Sequence, residues 1–439
     1  MNSPLSTIKP GRRSVMFGAG ALAAMAAMTG QPKAAVRTQA KILILGAGAA
    51  GLASASRLAA RLEGAEITLL DRRREHLYQP GFTLVAAGLK PSSYVVSRTR
   101  EYVASGVSLI EERAAEIDPL AKSVTTDGGR RLAYDFLIVA TGLDLDYAAI
   151  PGMDVTRIGQ KGLGSIYAGP EQAAATWRAM SDFADRGGVG VFSRPATEMK
   201  CAGAPLKYAF LTDDFLRRRG NRGRAELIYY AHNRVLFSVP IVAERVRMLY
   251  GERDIRVTHE HVLQAIDLER RIATFHTPQG STEQRYDFIN VVPPMRAPAV
   301  VRNSLLRWQT GPWAADGWTE VDRHTLRHVR FPEVFCVGDV VGVPKGKTAA
   351  SVKFQVPVAV DHLVAAIEGR QSAARYDGYT SCPLITRVGR AMLVEFDYND
   401  NLTPSFPGII APLEELWVTW IIKEIGLKPT YLAMLRGRA

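Results

Sequence analysis

The chain switches between two hydrophobic patterns. Lys41-Ile-Leu-Ile-Leu45 is an unbroken apolar run, as expected of a strand buried on both faces. Glycines follow at once, and Leu52 to Leu62 then places Ala, Leu and Arg at helical spacing. A second apolar run, Glu66 to Leu70, ends on Asp71. Strand patterns return at Tyr134 to Gly142, at Gly188 to Phe192 and at Val334 to Asp339. Leu206 to Arg217 predicts a helix. Strands alternating with helices predict an α/β fold built on parallel sheets. With 439 residues there is room for more than one core. The pattern predicts more than one α/β unit, each built on a parallel sheet.

The two ends follow other patterns. Near the start, Lys9, Arg12 and Arg13 precede an Ala- and Gly-rich apolar run from Val15 to Met28, and Ala34 and Ala35 then offer a cleavage point. Residues 1–35 therefore read as an export signal, and Arg12-Arg13 points to the twin-arginine route. A retained anchor is the alternative, because Ser14 to Pro32 carries no charge. From Leu413, Leu416, Trp417, Trp420 and Ile421 fall on one face of a helix, widened by Val418, Ile422 and Ile425. Lys423, Lys428, Arg436 and Arg438 lie nearby. Two Trp with basic flanks suit an amphipathic helix lying in a membrane interface. A core or dimer helix is the bland alternative. The segment is too short and too charged to span a bilayer.

Composition narrows the function. Hydrophobic residues are 47% and charged residues 22%, which excludes a disordered or collagen-like chain. Three cysteines are too few for a disulfide scaffold. The net charge is +12, of which four cations sit in the leader, so +8 remains without it. No basic run interleaved with aromatics appears, which argues against nucleic acid and for a membrane surface or an anionic substrate. The eight histidines show no metal spacing, and His259 with His261 reads as a surface pair, so no metal is expected.

Gly46-Ala-Gly48-Ala-Ala-Gly51 stands between the first strand and its helix, and Asp71 lies 20 residues past Gly51. Alone, this glycine spacing is weak; strand, glycines, helix, strand and terminal acid in order make it strong. Gly46 permits a tight turn, Gly48 lets a pyrophosphate approach the backbone, and Gly51 lets the helix pack on the strand. The helix N-terminus favours the phosphate charge, and Asp71 would accept a ribose hydroxyl. Two later turns, at Thr141-Gly142 and at Gly338-Asp339, resemble the ATG and GD motifs of two-dinucleotide-binding-domain flavoproteins. That resemblance implies two Rossmann-like domains of the FAD/NAD(P)-binding type, with FAD in the first, which would comprise 41–150 and 290–365.

The second domain, 151–289, should carry a matching loop for NAD(P)H after Gly188 to Phe192. The chain instead has Ser193-Arg-Pro-Ala-Thr-Glu-Met-Lys-Cys-Ala-Gly-Ala-Pro205. Pro195 removes a backbone donor, and Glu198 adds negative charge where a pyrophosphate would need the opposite. Cys201 sits in this loop beside Lys200 and ahead of a helix, a setting that favours thiolate. An inert buried cysteine is the alternative.

Together these strings resemble the sulfide:quinone oxidoreductase family, over nearly all of the chain after the leader. The resemblance is carried by His76-Leu-Tyr-Gln-Pro-Gly-Phe-Thr-Leu-Val-Ala-Ala-Gly88, Lys200-Cys-Ala-Gly-Ala-Pro205 and Pro293-Pro-Met295, with Lys347-Thr-Ala-Ala350 and Tyr376-Asp-Gly-Tyr-Thr-Ser-Cys-Pro383 further on. It is nearest to the branch shared with mitochondrial enzymes. The resemblance implies a redox-active pair, Cys201 and Cys382, which spacing could not reveal across 181 residues. It implies that Gln79, Ala114, Thr141, Gly142, Gly338, Asp339, Lys347, Thr348, Ala349 and Ala350 join Gly46, Gly48, Gly51 and Asp71 around FAD. Cys336 matches no redox position and reads as packing.

The chemistry so implied runs as follows. Hydrosulfide attacks Cys382 of a linked pair, directly bonded or bridged by an extra sulfur, and frees Cys201 as thiolate. A small sulfur acceptor then removes the sulfane sulfur, and two electrons pass by way of FAD to a membrane quinone. Lys200 is expected to stabilise the thiolate, and Lys347 to offset negative charge on the reduced flavin. Lys207 is a candidate for attracting an anion, with a solvated helix lysine as the alternative. Phe354, Phe396, Tyr398, Phe406 and Trp417 are candidates for a quinone entrance by position only. Residues 366–439 would hold the second cysteine and the membrane-facing helices, in a monotopic protein on the periplasmic side of the cytoplasmic membrane; self-association is compatible with this reading. Three rivals remain: the flavoprotein subunit of a flavocytochrome c sulfide dehydrogenase, a quinone-reducing NADH dehydrogenase, and a flavin-binding scaffold without turnover.

Overall fold

The computed structural model describes residues 35–439. The leader through Ala34, with Arg12-Arg13, lies outside the described residues. The architecture is α/β. One five-stranded parallel sheet runs in the order Val334–Cys336, Phe136–Val139, Lys41–Leu45, Glu66–Leu70, Val107–Ile110. Ile42, Leu43, Ile44 and Leu45 are all buried, which explains why this strand reads as a continuous apolar run. Its edge strand comes from some 200 residues further along the chain. A second five-stranded parallel sheet runs in the order Leu163–Gly164, Phe288–Asn290, Gly188–Ser193, Ala225–Tyr230, Ile255–Thr258. Each sheet is accompanied by a three-stranded antiparallel sheet, beginning at Ala114–Asp118 and at Val262–Asp267.

Helix Ala49–Arg61 follows the first strand of the first sheet and packs against helix Ala349–Ile367. The latter is long and apolar enough to cross a membrane by composition, yet more than half of it is buried in the protein. It serves as a core helix. Helix Ala204–Arg218 follows the second sheet's central strand, with Gly203 as its N-cap residue and Pro205 in its first turn, where a missing N–H costs nothing.

The C-terminal region opens with a hairpin, Thr380–Arg387 and Arg390–Phe396. The expected amphipathic helix from Leu413 is broken into three pieces: a turn of α-helix at Trp417–Ile421, a π-helical turn at Ile422–Gly426, and helix Leu427–Leu435. The wider turn rotates the residues beyond it, so the face drawn at strict helical spacing divides. Trp420 and Lys423 turn inward and are buried, while Trp417 and Ile425 are each 60% exposed. The last helix docks on the first domain: Ser56 donates to the Leu435 carbonyl at 2.7 Å, and the His76 ring meets the Tyr431 hydroxyl at 2.8 Å.

Candidate functional site

The carboxyl edge of the first sheet is shaped for a dinucleotide. Gly46 has φ +97°, and a Cβ there would lie 2.5 Å from the Ala140 carbonyl oxygen. At Gly51 a Cβ would lie 1.7 Å from the Gly46 oxygen, so helix and strand approach as closely as the fingerprint requires. Among the described residues, a Cβ at Gly48 would have only an Arg73 nitrogen within 4 Å, at 3.8 Å, and one at Gly142 would have nothing. The buried Thr141 hydroxyl has no partner among the described residues. Open backbone beside an unsatisfied donor is what an incoming cofactor would fill.

Asp71 closes the second strand as expected. Its Oδ2 accepts the Ala47 N–H at 2.7 Å, and Arg73 holds both oxygens through its backbone and guanidinium. Burial opposes ionisation here, but these donors outweigh it and hold the carboxyl below its usual range. A ribose hydroxyl would share Asp71 with Arg73. Nearby, burial raises the Asp339 carboxyl above its usual range. Lys347 donates to the carbonyls of Asp339 and Val341 at 2.8 and 2.7 Å and lies 3.7 Å from the centre of the Trp318 ring. Desolvation lowers its ammonium to about 8. Thr348 caps the helix that Ala349 and Ala350 begin, and its hydroxyl meets that of Thr380, two residues before Cys382. Gly338 donates to Gln355 at 2.8 Å. Ala114 is buried in the apolar cluster behind the sheet.

The second sheet's edge differs in kind. Cys201 lies there with φ +46°, a left-handed conformation costing a non-glycine residue on the order of 1–3 kcal/mol. Four hydrogen bonds hold the turn. Cys201 N–H donates to the Lys347 carbonyl at 3.0 Å, and Ala204 N–H to the Cys201 carbonyl at 2.8 Å. The buried Tyr167 hydroxyl donates to the carbonyls of Cys201 and Lys200 at 3.0 and 3.2 Å. Strand Thr380–Arg387 brings Cys382 alongside, with the two Sγ atoms 3.9 Å apart. At that distance they are free thiols and not a disulfide, whose sulfurs lie about 2 Å apart. Gly203 makes room for the pair, since a Cβ on it would stand 2.4 Å from the Cys382 sulfur.

The pair is electrically asymmetric. The hydrogen bond from Cys382, aided by the charges of Lys207 and Lys423, holds Cys201 well below the usual thiol range. The same hydrogen bond and burial push Cys382 well above it. The arrangement is a thiolate at Cys201 facing a thiol at Cys382. Its direct cation is not Lys200, as expected, but Lys207. Lys207 Nζ lies 3.4 Å from the Cys201 sulfur on a side chain only 3% exposed, which removes the solvated-lysine reading. Lys200 donates instead to Gln79 Oε1 at 2.7 Å. The reason is geometric: a neighbour in sequence leaves a turn in another direction, whereas Lys207 stands on the first turn of the helix behind the sulfur.

Two further residues belong to the site and were not foreseen. Tyr167 carries no motif. Lys423 looked like a basic flank, but it is buried, donates to the Pro80 carbonyl at 2.6 Å and is lowered to about 7 by desolvation and by Lys207. Only its place in a π-helical turn, a frequent mark of function, would have pointed to it. The aromatic candidates do not converge. Phe396 is buried against Phe237, Phe354 is 42% exposed beside Tyr379, and Tyr398 packs on Tyr376. Cys336 is fully buried in its strand, and burial pushes its thiol up to about 12, in keeping with packing.

Comparison with known proteins places these features in a family. The profile described as "Pyridine nucleotide-disulphide oxidoreductase" matches residues 40–172. A Mus musculus protein named "Sulfide:quinone oxidoreductase, mitochondrial" is 34% identical over 84% of this chain and 80% of its own length. A protein of the same name from Dictyostelium discoideum is 32% identical over 91% of this chain and 86% of its own. The solved structure of the sulfide:quinone oxidoreductase from Aquifex aeolicus superposes with a TM-score of 0.72 at 20% identity, covering 91% of this chain and 92% of that one.

Proposed function

The chain belongs to the sulfide:quinone oxidoreductase family, and on that footing we propose that it oxidises hydrogen sulfide at Cys201 and Cys382 and delivers two electrons, by way of FAD, to a membrane quinone. The observation that carries the residue assignment is the approach of the two sulfurs to 3.9 Å with Lys207 at 3.4 Å from one of them. Residues 181 apart meet there with opposite protonation preferences.

Each step has a residue to perform it. With the pair bonded, hydrosulfide forms a bond to the Cys382 sulfur, and the bond between the cysteines breaks with its electron pair on Cys201. Lys207 stabilises that thiolate, and Tyr167 keeps the strained turn aimed. A small acceptor takes the outer sulfur from Cys382. Re-forming the cysteine bond then releases two electrons. Gly46, Gly48, Gly51, Asp71, Thr141, Gly142, Gly338, Asp339, Lys347 and Thr348 to Ala350 would hold FAD. When bound, FAD supplies the two-electron chemistry that links this pair to the quinone.

The exposed Trp417, Val418 and Ile425, with Ile409 at 80% exposure, support a membrane-resting face. The basic, acid-free leader supports export to the periplasmic side by the twin-arginine route.

Serine in place of either cysteine tests the assignment. Cys201→Ser and Cys382→Ser should each lose sulfide-dependent quinone reduction and still purify yellow with FAD. Full turnover in either variant sinks it. Anaerobic sulfide should bleach the flavin of the unmodified protein, and adding quinone rather than cytochrome c should restore the colour.

A further inference from the structure

Glu395 is a buried carboxylate in the C-terminal hairpin, only 3% exposed. Among the described residues no cation pairs with it, and all of its partners are neutral. Its Oε2 accepts the Ser405 N–H at 2.7 Å, and its Oε1 accepts the Ser405 hydroxyl at 2.6 Å and the Tyr379 hydroxyl. The Ser405 hydroxyl also lies 3.2 Å from that of Tyr379, and Ser405 is exposed. A chain of oxygen atoms therefore runs from solvent to Tyr379 by way of Glu395. A buried carboxyl held only by hydroxyls and an amide is placed to take up a proton and give it back.

The cluster lies between two regions already described. The Tyr379 ring packs on Phe354, with centroids 4.2 Å apart, and Phe354 stands on the helix that Lys347 and Thr348 introduce. Thr380, next to Tyr379, meets the Thr348 hydroxyl at 2.8 Å. The cluster thus adjoins the residues proposed for FAD. On its other side the chain runs from Ser405 to the exposed Ile409, on the face proposed to rest on the membrane. Across the hairpin Glu395 pairs with Ser381, while Cys382 pairs with Val394. Successive strand residues face opposite ways, so the carboxyl and the Cys382 sulfur lie on opposite faces. The buried hydroxyl of Thr403, whose N–H donates to the Glu395 carbonyl at 3.0 Å, has no partner among the described residues.

We propose that Tyr379 and Glu395 are catalytic residues for the quinone half of the reaction: Tyr379 gives a proton to a quinone carbonyl oxygen seated beside Phe354, and Glu395 reloads Tyr379. This rests on the function proposed above. A quinone becomes a quinol by taking two electrons and two protons. One oxygen receives the hydrogen that travels with the electron pair from the reduced cofactor. At the other, the Tyr379 O–H bond breaks as the quinol O–H bond forms. The Glu395 carboxyl returns a proton to the Tyr379 oxygen and is itself reloaded from water at Ser405.

The test uses the full-length FAD-loaded protein in detergent, its flavin reduced anaerobically with stoichiometric dithionite so that no sulfide step enters. Return of the flavin colour is followed with a short-chain ubiquinone, which takes up protons, and with ferricyanide, which takes electrons alone. Glu395→Gln and Tyr379→Phe should each slow reoxidation by quinone about a hundredfold, and reoxidation by ferricyanide less than about twofold. The double variant should be no slower than either single one, because the two act in series. Glu395→Asp should recover part of the loss. Equal slowing with both acceptors overturns the proposal, since a carboxylate that only holds the loop in place would give that result. An unchanged quinone rate in either variant overturns it as well. If sulfide does not bleach the flavin of the unmodified protein, the proposed function fails, while the two acceptors still decide the proton relay.

Discussion

The first parallel sheet releases its chain from Lys41–Leu45 into Gly46, Gly48 and Gly51; the second releases it from Gly188–Ser193 into Arg194, Pro195 and Glu198. Both sheets are parallel, five-stranded and followed by a helix at the same edge. The first edge offers backbone: open space at Gly48 and an N-terminal helix turn for a phosphate. The second offers side chains: a thiolate in a left-handed turn and Lys207 behind it. A sheet's carboxyl edge is thus a place where ligands meet the chain, and the loop decides which chemistry is done there. Without phosphate-binding glycines, this loop has room for the cysteine that we propose to be redox-active.

The strongest way to break the contrast is to exchange loop requirements at matched positions. Gly48 and Ala196 are each the third residue past their strand. Gly48→Val puts a branched side chain where a cofactor would lie, while Ala196 is exposed. Gly48→Val should purify with less than about a tenth of the normal flavin, and Ala196→Val with its full complement, read from the 450 nm absorbance per protein. For the same reason NADH should reduce quinone at under about 1% of the sulfide rate. A yellow Gly48→Val protein would show that the first loop is not the cofactor's seat.

How much of this was legible in the sequence differs between the two edges. The first is local: strand, glycines, helix and Asp71 lie within some 30 residues, and each position has its own steric reason. The second is assembled from distant pieces. Cys201 and Cys382 were paired only by family resemblance, because nothing in a chain says which strand will lie beside which loop. Lys200 was preferred to Lys207 since adjacency in sequence is visible and the direction of a turn is not. Lys423 and Tyr167 belong to the site through packing alone. The C-terminal face was misdrawn because strict helical spacing has no way to express a π turn.

Within the second edge, Lys207 and Lys423 can be separated by charge state. Lys207→Met removes the cation 3.4 Å from the thiolate, so the Cys201 thiol should climb and turnover at pH 7 should fall by about a hundredfold. The acidic limb of the pH–rate profile should move to higher pH. A fall without that displacement means Lys207 only packs. Lys423→Met should be milder, about tenfold below pH 7 and less at pH 8.5, because Lys423 titrates near 7 and has lost most of its charge above it. Equal losses at both pH values would show that it acts by shape.

The smallest effect separates the regions by stability rather than chemistry. His76 of the first domain is 3% exposed, and burial lowers it to about 4. An unfolded histidine titrates near 6.5. Between these values the unfolded chain binds a proton that the folded chain refuses, so stability is full above about pH 6.5 and falls as pH drops toward 4. The ceiling for this one residue is about 3 kcal/mol, a few degrees in Tm for a chain of this size. Because His76 meets Tyr431, acid should first release the last helix from the first domain and leave the second sheet in place. Hydrogen exchange at pH 7 and pH 5 should therefore show faster exchange across Leu427–Leu435 at the lower pH, with little change in Gly188–Ser193. His76→Gln keeps a partner for the Tyr431 hydroxyl and cannot titrate, so it should flatten the acid dependence across the last helix. If exchange there still accelerates on acidification, groups other than His76 set the acid response, and the docking of the helix does not depend on a neutral imidazole.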